Sequence, residues 1–248
     1  MDVQRPLPRL PLLHLMAGTI VLLAALLAGP VAVRADSFVL LATYDGVINP
    51  VTAEYLHDAL LSAQDNGAQA LIIRLNTPGG LDPSMRLIIK DITAATIPVV
   101  VYVAPSSSRA ASAGLFITMA AHVAAMAPGT NIGAAHPVAI GGGEMDKTMK
   151  EKVENDSVAY LKSIASQRGR NVAWVEDAVR KSVSVTEREA LKLKIIDLVA
   201  ENLSALLKQL DGRTISLQPG QTVLHTASAT LREYPMGLRL EFLKALSE

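Results

Sequence analysis

The chain has 248 residues, half of them hydrophobic and 4% aromatic, with 23 basic side chains balanced by 23 acidic ones. That length supports one sizeable core and is short for two full domains, and a neutral balance without a long basic run leaves no electrostatic footprint for nucleic acid. With no cysteine, disulfides, iron–sulfur ligation and thiol catalysis are excluded; the five histidines lack the spacing of helical metal ligands, so neither metal nor cofactor is expected.

At the N-terminus Arg5 and Arg9 precede an apolar run over residues 10–28 in which His14 and Thr19 are the clearly polar members, and Val33-Arg34-Ala35 offers small residues for cleavage before Asp36. Residues 1–35 therefore read as an export signal or, uncleaved, as a membrane anchor, since a span needs ~20 apolar residues. Residues 36–248 are then the globular part, on the extracytoplasmic or periplasmic side.

Residues 38–42 form a short apolar run. Residues 50–66 follow with Val51, Tyr55, Leu56, Ala59 and Leu60 at helical spacing, closed by Asn66-Gly67. Residues 70–75 are a buried strand, 84–95 a helix and 98–103 another strand. This βαβ alternation predicts an α/β fold with a mainly parallel sheet, right-handed crossovers and helices on both faces. Residues 110–127 are apolar enough to resemble a membrane span, but Ser112, Gly114, Thr118 and His122 interrupt them, and a buried helix followed by a buried strand fits better. Helices are expected over 149–167, 172–181 and 186–194, before a short strand over 195–199. Residues 139–148, with Gly141-Gly142-Gly143, are expected to be a mobile loop. Further β segments are expected over 213–217 and 222–225, then an amphipathic tail over 237–246.

Two turns carry possible chemistry. Asn76-Thr77-Pro78-Gly79-Gly80 follows a buried strand, where open α/β sheets put their crevices, and adjacent glycines leave backbone N–H groups free to meet a developing oxyanion. Ala110-Ala111-Ser112-Ala113-Gly114 opens the apolar helix, so small neighbours admit a carbonyl to Ser112 Oγ and the Ala113 N–H favours negative charge. The plain alternatives are an ordinary turn and an N-cap serine. Two parallel strands that bring both turns to one crevice favour the catalytic reading.

A serine nucleophile needs a base, and two stand downstream: His136 and Lys152. A histidine titrates near neutrality without tuning, whereas a lysine needs desolvation or a nearby cation to lose its proton there. Spacing ranks His136 first, because Lys152 lies among Lys147, Lys150, Glu151 and Glu154, as on a solvated helix face. On the helical wheel, however, Lys152 borders a stripe through Met149, Val153, Tyr160 and Ile164 and can point inward.

These motifs resemble the Clp-protease and signal-peptide-peptidase superfamily, most closely the NfeD-type membrane-bound serine proteases. The carriers are Asn76-Thr77-Pro78-Gly79-Gly80, residues 97–103, Ala111-Ser112-Ala113-Gly114, residues 126–134, residues 152–170 and residues 185–190. The resemblance implies a Clp/crotonase-like core and a serine endopeptidase using a Ser112–Lys152 dyad, with Gly79, Gly80 and Ala113 as oxyanion donors. It also implies apolar segments of a stomatin-like membrane protein as substrate, membrane association, and a homodimer or higher oligomer. A Ser-His-Asp triad through His136, with Asp156 or Asp177, is the alternative within the superfamily. An acyl-CoA crotonase and a catalytically silent membrane scaffold are the alternatives outside it. Asn76 stands where the family often has aspartate, and Lys194 stands at a helix C′ position where glycine is common. Long family members continue into membrane spans and a small β-barrel domain, so a chain of this length reads as a short form or a fragment.

Overall fold

Every side chain of Val99-Val100-Val101-Tyr102-Val103 is buried, so this strand can expose neither face. Alternate residues point to opposite sides of a sheet. Accordingly Val99, Val101 and Val103 join one apolar cluster, while Val100 and Tyr102 join another. The computed structural model describes residues 37–138, 146–218 and 220–247. The expected signal segment and residues 139–145 of the expected loop lie outside them.

In chain order the first half comprises β1 (Phe38–Asp45), α1 (Pro50–Asp65), β2 (Leu71–Asn76), α2 (Asp82–Ala94), β3 (Val99–Val103), β4 (Arg109–Ala111), α3 (Ala113–Ala120), β5 (Val123–Met126) and β6 (Asn131–Gly133). The second half comprises α4 (Lys147–Gln167), α5 (Val172–Arg180), β7 (Ser184–Thr186), α6 (Glu187–Lys192), β8 (Leu198–Val199), α7 (Leu203–Leu210), β9 (Thr214–Leu217), β10 (Gly220–Val223), β11 (Thr230–Tyr234) and α8 (Leu238–Ser247). Six strands form the central sheet in the order β11-β1-β2-β3-β5-β8, all neighbours parallel. Helices α1 to α5 supply residues to the larger cluster on one face, and α7 with Ile215 of β9 covers the other. The predicted α/β core with helices on both faces is therefore what the chain builds. No helix among the described residues is long and apolar enough to cross a membrane.

Helix α3 accounts for the apolar stretch that resembles a span: all eight of its residues are buried. A helix buried all round carries its polar ends into the interior, and its last carbonyls need donors. Two arginines supply them. Arg168 Nε donates to Ala120 O at 2.8 Å; Arg170 Nη1 donates to Met119 O and Ala121 O, and Nη2 pairs with Asp197 at 2.7 Å. Cations are favoured at a helix C-terminus, so the pair holds the far end of the helix that carries Ser112 at its head. Burial, then the charges of Arg168 and Arg170, push the neighbouring His122 down to about 3. It stays neutral and accepts the Val99 N–H through Nδ1.

Two differences from the sequence reading have local causes, and one expectation is met in an unusual way. Helix α4 starts at Lys147 because the Asp146 carboxylate caps it, accepting the Met149 N–H at 3.0 Å, so the end of the expected loop is helical. Strand β11 carries no apolar run and only partly buried or exposed residues, yet pairs with β1 from Phe38 opposite Thr230 onward. It is an edge strand, read from its partner rather than from its own pattern. Finally, Lys194 does adopt the positive φ expected of a C′ residue, 58°. Its N–H bonds to Leu191 O and that of Ile195 to Ala190 O, closing α6 as a Schellman motif without glycine.

Candidate active site

The glycine turn and the serine turn are laced together by backbone. Thr77 N donates to Arg109 O at 2.8 Å, and Ala111 N donates back to Thr77 O at 3.1 Å. Asn76 adds a side-chain stitch: its Oδ1 accepts the Arg109 N–H and its Nδ2 donates to Asp45 Oδ1, both at 3.0 Å. An aspartate here would keep the first contact and set two carboxylates together in the second, which explains why asparagine suits this chain. Close approach finishes the junction, since a Cβ on Gly114 would lie 2.5 Å from Thr77 Cγ2.

The two glycines do different things. The Gly79 N–H donates to Thr77 Oγ1 at 3.0 Å, so it is already engaged within the turn. Gly79 supplies space instead, because a Cβ there would fall 2.7 Å from Ser112 Cβ. Around Gly80, Ile48 N donates to Gly79 O and Leu81 N to Ile48 O, each at 2.8 Å. Gly80 therefore turns its own N–H away from Ile48, and the residue lines the cavity beside Ser112. A Cβ at Gly80 would sit 2.5 Å from Ile48 N and closer still to its carbonyl oxygen. Gly80→Ala is accordingly expected to destabilise the domain by about 3 kcal/mol or more, as overpacking against fixed backbone does. Urea unfolding measures it, and a loss under about 1 kcal/mol would contradict this packing.

Ser112 occupies the N-cap position of α3 with φ 51° and ψ −116°, and its side chain makes no capping hydrogen bond. Its N–H is held by Gly133 O at 3.0 Å. The next N–H, that of Ala113, begins the helix and is one of the four left without an intrahelical acceptor. Ser112 and Ala113 open into a cavity of about 510 Å³, whose apolar wall includes Leu81, Met85, Phe116, Val138 and Val153. Exposed Lys152 lines the same cavity.

His136 is held elsewhere. Its Nδ1 lies 3.1 Å from Val179 O, to which it donates, and its Nε2 faces Glu154 Oε1 at 3.5 Å. Neither aspartate suggested from the sequence is its partner: Asp156 pairs with Arg86 and Asp177 with Lys181. From the sequence Thr77 reads only as a turn residue and Tyr160 only as part of an apolar stripe, and Arg86 carries no signal. Thr77 is fully buried within a motif already singled out, and a buried hydroxyl in a turn signals that it bonds the turn's own backbone.

Parallel strands ending at one crevice, with a serine at the head of a buried helix, make the Clp-type architecture. ClpP1 from Listeria monocytogenes shares it with a TM-score of 0.54 at 21% identity, over 65% of this chain and 91% of that one. The family model of the NfeD1b N-terminal domain matches residues 41–218, and the chain belongs to that family. The membrane-bound protease PH1510 of Pyrococcus horikoshii is 38% identical over 188 residues, which are 75% of this chain and 42% of that protein. The chain thus spans about two fifths of the length of this curated relative. Among solved structures, the 1510-N membrane-bound stomatin-specific protease, as a lysine-to-alanine mutant in complex with a substrate peptide, matches with a TM-score of 0.79 and 32% identity. That match covers 86% of this chain and 99% of the other, which was also solved as a serine-to-alanine mutant.

Proposed function

We propose that this domain is a serine endopeptidase in which Ser112 is the nucleophile, Lys152 the general base, and the N–H groups of Gly80 and Ala113 the oxyanion donors. One observation carries the reading: an uncapped serine in a left-handed conformation opens on the same apolar cavity as a lysine. Strained backbone at a nucleophile is a recurrent way of presenting a side chain to substrate.

Chemistry follows from that arrangement. Ser112 Oγ attacks the scissile carbonyl carbon as its proton passes to the neutral Lys152 amine, and the carbonyl oxygen becomes the oxyanion. The Lys152 ammonium then protonates the departing amine, leaving an ester on Ser112. Water, deprotonated by Lys152, attacks the ester, releases the acid and restores the serine. Lys152 must be neutral to start. An apolar strand lying across the cavity excludes water from the amine and disfavours its charged form, which couples substrate choice to activation.

Several findings support this over His136 as base. Both imidazole nitrogens face partners other than Ser112, and the relative's solved forms include alanine mutants of a serine and of a lysine. Gly79 contributes room beside Ser112 rather than a donor. The stomatin specificity of the 1510-N protease supports a stomatin-like membrane protein as substrate, the apolar cavity wall supports an apolar segment of it, and family resemblance supports a membrane-associated, extracytoplasmic homodimer or higher oligomer.

Incubating the full chain with apolar and polar peptides of equal length, followed by mass spectrometry, tests the proposal. Apolar peptides are expected to be cut at least about tenfold faster, with polar ones lagging most near neutral pH. Equal rates with a shared pH profile would refute substrate-coupled activation. Partner binding without any turnover would replace the peptidase with a scaffold.

A further inference from the structure

The base proposed above sits on an overhang. From Lys147 to Asp156 no residue of α4 is buried; the helix enters the core only at Ser157, with Val158, Leu161, Ile164 and Ala165 following. Nearly three turns of helix, with Lys152 in the middle, are thus not anchored by apolar packing. Polar side chains hold them, beginning one half-turn after Lys152. Glu154 faces His136 and Arg180, both at 3.5 Å. Asp156, one turn beyond Lys152 and beside it on the cavity wall, accepts from Arg86 Nη2 at 2.5 Å.

Arg86 makes more than that one contact. Its Nε pairs with Asp82, at the start of α2 directly after the Gly80 turn, at 2.8 Å. Its guanidinium lies 4.2 Å over the ring of Tyr160 on α4. That ring stacks on Phe116, with centroids 6.1 Å apart, and Phe116 is one turn along the helix that Ser112 heads. A planar fork can hold two carboxylates and cover an aromatic face at once, which a lysine ammonium cannot. One guanidinium therefore links the oxyanion turn, the base helix and the nucleophile helix.

We propose that Arg86 is a positioning residue that sets Lys152 relative to Ser112 through its tie to Asp156; this rests on the Ser112–Lys152 reading. The tie is exposed, with side chains 35% and 67% accessible, and exposed ion pairs add little to stability. A catalytic group displaced by about 1 Å, in contrast, loses on the order of 10²-fold in rate. Loss of the tie must show in turnover and hardly at all in folding.

The test compares the full chain with Arg86→Gln, Asp156→Asn and the double variant on one apolar peptide. Peptide affinity is measured separately on the Ser112→Ala background, which cannot turn over. Each single variant is expected to lower kcat at least about tenfold, with Tm within about 3 °C and peptide affinity within about threefold of the parent. The double variant is expected to be no slower than the worse single, as for two ends of one tie. A kcat within twofold of wild type in Arg86→Gln overturns the proposal and leaves the dyad standing. Parallel loss of kcat, affinity and Tm overturns it too, by making Arg86 a residue of the fold. Full activity in Lys152→Ala would sink the dyad reading itself.

Discussion

Ser112→Ala is expected to abolish cleavage, lowering kcat by at least about 10⁴-fold while leaving peptide binding and Tm near those of the wild type. Only Oγ is removed, and that oxygen supports no capping bond, so the fold loses nothing while the covalent route is lost. Ser112→Gly sharpens the point. At φ 51° and ψ −116° a Cβ is disfavoured, and glycine relieves the strain. The glycine variant is expected to be equally inactive but more stable, by about 1 kcal/mol after its greater unfolded-state entropy is allowed for. Mass spectrometry of products together with urea unfolding reads both quantities. Residual cleavage within about tenfold of wild type in Ser112→Ala would remove the nucleophile from this site.

The second large effect separates the two bases. Lys152→Ala is expected to lower kcat by about 10²- to 10⁴-fold, the usual contribution of a positioned general base, whereas His136→Ala stays within about tenfold of wild type. The pH–rate profile adds a signature that magnitude alone does not carry. A general base acts only in its unprotonated form, so a rise of rate with pH marks whichever residue serves as base. That rise is expected to persist in His136→Ala and to vanish in Lys152→Ala. The modest loss allowed for the histidine variant has a structural source: His136 faces Glu154 on the overhanging part of α4, so its removal loosens one support of that segment. Loss confined to His136→Ala, with Lys152→Ala fully active, would reverse the assignment.

Much of the site was legible in local pattern. A serine among alanines and a glycine, opening an apolar run, marks a helix N-terminus that small residues leave accessible. Pro78-Gly79-Gly80 after an apolar strand marks a crevice turn. Even the unusual Lys194 could be read as a C′ residue that must adopt positive φ, which it does. What such patterns cannot distinguish is which of two neighbouring glycines has a free N–H. Thr77 Oγ1 satisfies Gly79 while Ile48 orients Gly80, and Ile48 is more than thirty residues away in the chain.

The choice between His136 and Lys152 shows the same division. By residue type and spacing the histidine is the easier base, and nothing within a few positions of it reveals that Val179 and Glu154 face its two nitrogens. Likewise Arg86 and Asp156 are separated by 70 residues, and nothing near either of them in the sequence pairs the two.

By itself, then, the amino-acid sequence determined the α/β alternation, the buried helix behind Ser112 and the two turns. Each of these follows from hydrophobic periodicity or from backbone restrictions that act over a few residues. Only the tertiary structure decided the edge position of β11, the division of labour between Gly79 and Gly80, the surroundings of His136 and the linkage through Arg86. Those depend on hydrogen bonds and ion pairs between segments far apart in the chain, which come within reach of one another only once the sheet is assembled.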